Sequence, residues 1–493
     1  MPSPPDYSLT LDHERALGRS GKLIHAQSFA IGMHELVERI WRRIKENESK
    51  YVGDLKRLLE QKGVSATGEG IEECASTVRE MMEEAGLRAE LIRSGGYPVV
   101  FGEFREERHG TLLFYNHYDV QPPDPIGEWT TPPFEPSVRN GRVFARGAAD
   151  NKGNLVARLK AIEVVNEVAG ELPLNLKVVA EGEEEIGSPN LPRFVEENRH
   201  LLEADACLWE MSYIDDRDRP VIALGAKGIV YLELRAKRKG PDLHSSWGAV
   251  AVNPAWRLIN ALNLIADDRG NPRISELTED VHLDERLLQL IERADVDPDE
   301  ISQGAGELIP EVRGNVKEAL KRLTMMPVVN VCGLLSGYTG EGSKTVLPSR
   351  AIAKVDVRLV PKMRPEKVVE AIRRALSRAG YGDVEVVQLG GSYPAAVTDP
   401  DSLFVEAIVG TARVAFEKDP VVIPSMQGSG PLYLFAEVLE QPTVLAGVSR
   451  RDSRYHAPDE NLRIDDYLRG IFHAALLMIN FVPMMRWGVM PYR

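Results

Sequence analysis

A chain of 493 residues, 43% hydrophobic and 27% charged, has the composition of a folded protein of two or three units rather than a disordered one. Its 74 acidic and 60 basic residues leave a net charge of −14, which argues against nucleic acid as a partner. Cys74, Cys207 and Cys332 lie far apart, which excludes a cysteine-rich zinc module and speaks against a disulfide framework.

Residues 1–32 lack an apolar core behind a basic lead, so they read as an N-terminal extension and not a secretory signal. Helical periodicity begins at "MHELVERIWRRIKENESKYVGDLKRLLEQKG" and recurs in "STVREMMEEAG", where Gly86 is a good helix stop. "TLLFYNHYDV", "LNLKVVAEGEEEIG" and "ADACLWEMSY" are strands, and "NLVARLKAIEVVNEVA" is a helix between them. Strands separated by helices predict an α/β layer architecture, with the chemistry beyond the strands' carboxyl ends.

The texture changes near residue 227. "KGIVYLELRAKRKG" and "SRAIAKVDVRLVP" alternate as half-exposed antiparallel strands do, while "NPAWRLINALNLIADD" and "PEKVVEAIRRALSRAG" are helices. A long, charged and irregular insert is expected at about 270–325. The α/β texture returns after about 395 with "PTVLAGVSR" and the closing helix "LRGIFHAALLMINFV". The predicted organisation is a catalytic domain in two segments, 33–226 and 395–493, around an inserted α+β domain at 227–394. No apolar run approaches the ~20 residues that span a bilayer, so no membrane partner is expected and the cytoplasm is the expected address.

Acids and histidines collect at strand ends. His117 and Asp119 are two apart on a strand and point to the same side, and a ligand histidine needs a carboxylate to hold its ring. Asp150 sits in "FARGAADNKGNL", a loop of small residues entering a helix. Glu181, Glu183, Glu184 and Glu185 crowd one turn, which is costly unless a cation neutralises them. One glutamate of that run suits a metal ligand and a neighbour suits a general base. Glu210 ends another strand, and His456 lies in the loop "SRYHAPDENL". Imidazoles with hard oxygen ligands suit zinc, manganese or cobalt, and two ions fit if one carboxylate bridges. Asp150, beside glycine and alanine, suits the bridge.

"HYDV", "WTTPPFEPSVRNGRVFARGAADNKG", "EGEEEIGSP" and "HAPDE" resemble, in order and spacing, the dinuclear-metal aminoacylase and carboxypeptidase family, which includes acetylornithine deacetylase, succinyl-diaminopimelate desuccinylase and glutamate carboxypeptidase. "DLHSSWGAVAVNP" and "SKTVLPSRAIAKVDVRLVP" resemble the carnosinase-like dipeptidases within it. The fold implied is a zinc-peptidase-like catalytic domain, a central mixed sheet flanked by helices, with an inserted α+β lid and dimerisation domain. The resemblance implies two divalent ions per chain, one on His117, Asp150 and Glu210, the other on Asp150, Glu185 and His456. It implies Glu184 as the base that deprotonates the water between them, with Asp119 orienting His117. From the lid it implies His244 at the oxyanion, acting across a homodimer, and Arg358 gripping a substrate carboxylate. Asn330, Thr345, Gly428 and Ser429 are further candidates for substrate contact. Where the carnosinase-like enzymes carry an Arg-Glu-Gly-Gly-Ser type run, this chain has "SMQGSG" at 425–430, which puts the preferred substrate in question. The implied function is release of a C-terminal amino acid from dipeptides or small peptides. The alternatives are an N-acyl-amino-acid deacylase and an inactive metal-binding scaffold of the same fold.

Overall fold

The computed structural model describes residues 20–487 except 107, 280 and 282. The helix Ser20–Glu46 takes in the last residues of the expected extension, whose first 19 residues lie outside the described ones.

An eight-stranded mixed sheet forms the larger layer, in the order Arg88–Ile92, Val99–Phe104, Asn175–Glu181, Thr111–His117, Ala206–Trp209, Thr443–Leu445, Val221–Ala223, Val421–Ile423. Its centre is parallel: Thr111–His117 runs beside Asn175–Glu181 and Ala206–Trp209, which runs beside Thr443–Leu445. These strands read as near-continuous apolar runs because both faces are covered. Leu112 and Phe114 enter one core with the helices Lys152–Ala169, Leu403–Phe416 and Ile464–Trp487, while Leu113 and Tyr115 enter the other with Trp209 and Phe435. Parallel pairing brings the carboxyl ends of the central strands, and with them His117, Glu181 and Trp209, to one edge of the layer.

The second sheet has six strands: Val328–Ser336, Arg350–Leu359, Gly225–Lys237 and Glu385–Gln388 run antiparallel in that order, and Ala396–Val397 (antiparallel) and Met426–Ser429 (parallel) join the start of Gly225–Lys237. Val230, Leu232 and Leu234 point to one face, where the helices Pro254–Ile265 and Pro365–Arg378 cover them. Ile229 and Tyr231 point to the other face and are half-buried. Gly225–Lys237 follows two residues after the strand Val221–Ala223, so one run of chain links the two sheets.

The stretch at 270–325 is not irregular. It folds into the helices Glu285–Arg293, Pro298–Ala305 and Val316–Met325, with Asp284, Asp297 and Asn315 each accepting a capping hydrogen bond from the first turn. Ile291, Leu320 and Met325 join the core of the larger sheet. The closing helix corrects a second expectation. Residues Ile464–Met484 are long and apolar enough to cross a bilayer, yet 83% of that window is buried inside the protein. It is a core helix, packed against Lys152–Ala169 and Leu403–Phe416.

Candidate dinuclear metal site

The loop Arg146–Asn151 turns into the helix Lys152–Ala169 within van der Waals limits that only small residues meet. A Cβ at Gly153 would lie 2.1 Å from the Ala148 carbonyl oxygen, and Gly147 has φ +86° with Val120 2.8 Å from where its Cβ would sit. Glu460, fully buried, holds this loop in place. Its Oε1 accepts from the amides of Ala149 (2.9 Å) and Asp150 (3.0 Å), and its Oε2 from Gly147 N (2.9 Å) and the Arg146 guanidinium (2.7 Å).

So held, Asp150 faces two ways. Its Oδ1 lies 3.1 Å from His117 Nε2, and its Oδ2 lies 3.2 Å from His456 Nε2. His117 Nε2 is also 3.6 Å from Glu210 Oε2, and His456 Nε2 is 3.1 Å from Glu185 Oε2. Asp119 fixes the His117 ring from behind, its Oδ1 3.3 Å and its carbonyl oxygen 3.1 Å from Nδ1, which leaves Nε2 for the cluster. The Asp119 carboxylate also accepts from Glu184 N (3.2 Å) and Glu185 N (3.0 Å), tying the acidic turn to the His117 strand. All five residues expected as ligands therefore meet at one edge of the sheet.

The four glutamates of the acidic turn divide. Glu181 accepts from the Tyr115 hydroxyl and from Ser188 Oγ, and Glu183 accepts from Asn190 Nδ2 and Tyr97 N. Glu185 faces His456, and the Glu184 carboxylate makes no hydrogen bond with a described residue. Loss of hydration, then the Glu210 charge, raises Glu184 well above the usual carboxylate range. Burial raises Glu210 to about 7, with His117 opposing, and raises Glu185. Burial opposes ionisation of Asp150 too, but the two imidazoles outweigh it and hold its carboxyl below the usual range. His456 is raised to about 10 by its hydrogen bonds to Asp150 and Glu185. Glu210, Asp119 and Asp150 outweigh burial at His117 and raise it as well.

This donor set fits divalent cations. Ligand atoms of His117, Asp150 and Glu185 all lie within 4.8 Å of one another, and Glu210 Oε2 is buried with no hydrogen-bond partner. An acceptor left that way is costly unless a cation takes it up. The two oxygens of Asp150 serve two separate pairs, His117 with Glu210 and His456 with Glu185.

The second sheet brings further candidates into one group. Arg358 is half-buried; its guanidinium donates to Ser429 Oγ (2.9 Å) and to Asp356 Oδ1 (3.2 Å), and Asn330 Nδ2 donates to the same Asp356 oxygen (2.8 Å). Gly428 is exposed beside Ser429 on the strand Met426–Ser429. His244 and Thr345 form a separate pair, Thr345 Oγ1 standing 3.3 Å from His244 Nε2 on an exposed two-stranded ladder. No hydrogen bond or ion pair among the described residues links His244 to the five-residue cluster within its own chain.

Sequence reasoning missed three supports. Gln121, two residues past Asp119, donates to Glu185 Oε2 at 3.0 Å and so aims that carboxylate. Glu460 closes the quoted motif "HAPDE", which signalled its importance without showing that its partners are backbone amides of residues 147–150. Arg158 points from Lys152–Ala169 into the carbonyls of Tyr115, Leu208, Trp209, Glu210 and Ala446, pinning three strand ends with one guanidinium.

Comparison with known proteins agrees with this geometry. The chain is 26% identical over 388 residues to the Cys-Gly metallodipeptidase of Schizosaccharomyces pombe, covering 76% of this chain and 80% of that one. It is 27% identical over 383 residues to the Beta-Ala-His dipeptidase of Homo sapiens, covering 76% and 75%. The crystal structure of the M20 family metallo-carboxypeptidase Sso-CP2 from Sulfolobus solfataricus superposes with a TM-score of 0.82 at 39% identity, covering 87% of this chain and 98% of that one. The model of peptidase family M20/M25/M40 matches residues 113–480. With three quarters of its length inside that match and a metal-fitting cluster at the sheet edge, the chain belongs to peptidase family M20/M25/M40 and is a metal-dependent hydrolase of peptide bonds.

Proposed function

We propose that the protein is a dinuclear-metal dipeptidase or carboxypeptidase that releases the C-terminal amino acid of dipeptides or small peptides. The observation that carries this reading is the two-sided Asp150, with an imidazole and a carboxylate on each side, and the adjoining Glu184, which feels the charges of Glu210, Glu185 and Asp150. His117, Asp150 and Glu210 would hold one ion, and Asp150, Glu185 and His456 the other. Zinc suits these ligands, as do manganese and cobalt. Divalent cations here would supply Lewis-acid polarisation of a carbonyl and acidification of a water. Glu184 takes the proton from that water and returns it to the leaving amine. Burial raises this carboxyl, which favours its holding the proton between the two transfers. Asp119 keeps His117 in the tautomer that presents Nε2, and Gln121 aims Glu185. Arg358, on the face of the second sheet away from its covering helices, pairs with the substrate's terminal carboxylate through its planar fork. Dipeptides are favoured over N-acyl amino acids because the named relatives are dipeptidases. The three cysteines are unpaired, which suits the cytoplasm.

A hydrolysis screen after metal loading tests this. Dipeptides should turn over faster than N-acetyl or N-aroyl amino acids. Glu184→Gln should bind the metals normally while kcat falls by more than about a thousandfold, since the amide cannot accept the proton. Preference for the acylated set would shift the reading to a deacylase.

The second part of the proposal is a homodimer in which His244 serves the partner's site. The strand Val328–Ser336 is a sheet edge that exposes Val331, Leu334 and Leu335, and Trp247 and Trp256 are more than half exposed nearby in sequence to His244. A bare edge with apolar side chains calls for cover, and a two-fold copy supplies it. Mixing His244→Ala chains with Glu184→Gln chains should restore activity, because one site of the mixed dimer keeps both residues. Subunit exchange shown by a tag, with no activity, would exclude action across the interface.

A further inference from the structure

The edge of the second sheet carries a tyrosine that no part of the chemistry above uses. Beyond Glu385–Gln388 the chain stays on the ladder of Gly225–Lys237: Leu389 N donates to the Tyr231 carbonyl (2.8 Å), and Tyr393 and Ile229 exchange backbone hydrogen bonds of 3.0 and 2.9 Å. Between those two anchors one strand advances two residues and the other four. The surplus, within Gly390, Gly391 and Ser392, leaves the ladder as a bulge, a device that re-aims side chains next to sites. Gly391 reaches the acidic turn, its Cα 3.3 Å from where a Cβ of Gly187 would lie, and Gly187 closes the turn Glu184–Ile186. Gly228 clears the return path. A Cβ there would lie 2.4 to 2.5 Å from the main chain of residues 393–395.

This pins Tyr393 between two parts of the site. Ile229 is registered with Arg358 on its other side, so Arg358, Ile229 and Tyr393 form one row across the sheet. Directly opposed residues project from the same face, and this face is the one away from the covering helices. Tyr393 is half-buried, and its hydroxyl makes no hydrogen bond with a described residue. Burial, then the Glu184 charge, pushes the phenol well above its ordinary range, while Arg358 pulls the other way. It is therefore an uncommitted O–H donor at working pH.

We infer that Tyr393 contacts the substrate, its hydroxyl donating to the C-terminal carboxylate beside Arg358 and fixing the last residue of the peptide between the clamp and Glu184. This deepens the peptidase reading and rests on it. A single amino-acid residue separates the scissile carbonyl from the terminal carboxylate of a dipeptide, so the group that binds that carboxylate stands one residue from the reacting bond. Because the contact is made before and during reaction alike, it acts on binding.

The test compares Tyr393→Phe with the parent, both metal-loaded. KM for dipeptides should rise about tenfold with kcat little changed, the loss of one hydrogen bond to a charged group. Calorimetry should show the same weakening of dipeptide affinity when Tyr393→Phe is added to Glu184→Gln, with metal content and melting temperature unchanged. Parental KM and affinity would overturn the assignment, and so would a loss confined to kcat, or a loss of metal or fold. A parent enzyme that hydrolyses no dipeptide refutes the dipeptidase reading itself, whereas an active parent with an unaffected Tyr393→Phe refutes only the role of the phenol.

Discussion

Glu460→Gln changes one atom and should unsettle the whole site. The carboxylate receives four hydrogen bonds, two on each oxygen, from Arg146 and the amides of Gly147, Ala149 and Asp150. A glutamine must turn its NH2 towards one of these pairs of donors, so two bonds are lost and donors face a donor. Burial raises the Glu460 carboxyl even with Arg146 beside it, so the intact pair adds little over an apolar filling. Removing one partner is different, because it leaves the Arg146 cation about 1% exposed with no counter-charge. Breaking a buried pair this way costs roughly 3–5 kcal/mol. Glu460 Oε1 also orients the amides of Ala149 and Asp150, so divalent-cation affinity should fall at least about tenfold, in line with losses of supporting contacts elsewhere. Denaturant unfolding and metal titration by calorimetry read both effects. Adding Arg146→Met should recover the part due to the stranded charge but not the metal affinity. A Glu460→Gln protein within about 1 kcal/mol of the parent, with parental affinity for the metal, would refute the role given to this carboxylate.

Arg358→Lys should lower kcat/KM about ten- to a hundredfold although the charge survives, since an ammonium cannot pair with a carboxylate through two parallel N–H groups. C-terminally amidated dipeptides should be equally poor substrates of the parent, and equal rates on amide and free acid would remove the clamp. Buried His473 has its pKa pushed down from 6.5 to about 4 by loss of hydration. The unfolded chain takes up that proton first as pH falls, so its contribution to stability is full above pH 6.5 and is lost towards pH 4. At about 1.4 kcal/mol per pH unit the loss is about 3 kcal/mol, and His473→Leu, which cannot titrate, should be spared it. Parallel stability curves for the two proteins between those pH values would refute the assignment.

The parts of the site readable in the sequence are those whose signal is local. His117 and Asp119 stand two apart on one strand, Glu184 and Glu185 follow another, and Glu210 ends a third. An apolar run that stops at an acid is a visible pattern. Glu460 and Arg158 were not readable because most of their partners are backbone atoms, which have no letter in the sequence, and lie up to hundreds of residues away. Tyr393 depends on a bulge, and two glycines and a serine announce a turn without saying what it aims. The short helices at 285–325 were missed although Leu287, Leu288, Leu290 and Ile291 recur at helical spacing, because each helix runs only eight to ten residues between charged and Pro- or Gly-containing links. The closing helix hid its length because Asp465, Asp466 and Arg469 crowd its first turns, though Ile471 to Ile479 are buried almost without break.

The buried charges explain why this arrangement must take up cations. Three buried cations of the helix Lys152–Ala169 and the loop before it are committed elsewhere. Arg158, whose pKa burial lowers to about 9 and which therefore stays protonated near neutral pH, turns to carbonyls at the ends of the strands carrying His117 and Glu210, and Lys152 turns to the carbonyls of Gln61 and Lys62. Arg146 is matched to Glu460. None of the three forms an ion pair with Asp150, Glu184, Glu185 or Glu210. These four carboxylates therefore share the cluster with only two imidazoles to oppose them, and burial first, then the neighbouring acids, raises three of the four. Had a lysine or arginine side chain filled that space, the acids would be quiet and the site closed. With permanent cations holding the strand ends and, among the described residues, no lysine or arginine paired with these acids, the place is kept for exchangeable ions. The neighbouring acids raise both His117 and His456, so cation uptake competes with protonation of these rings and affinity for the metal rises with pH.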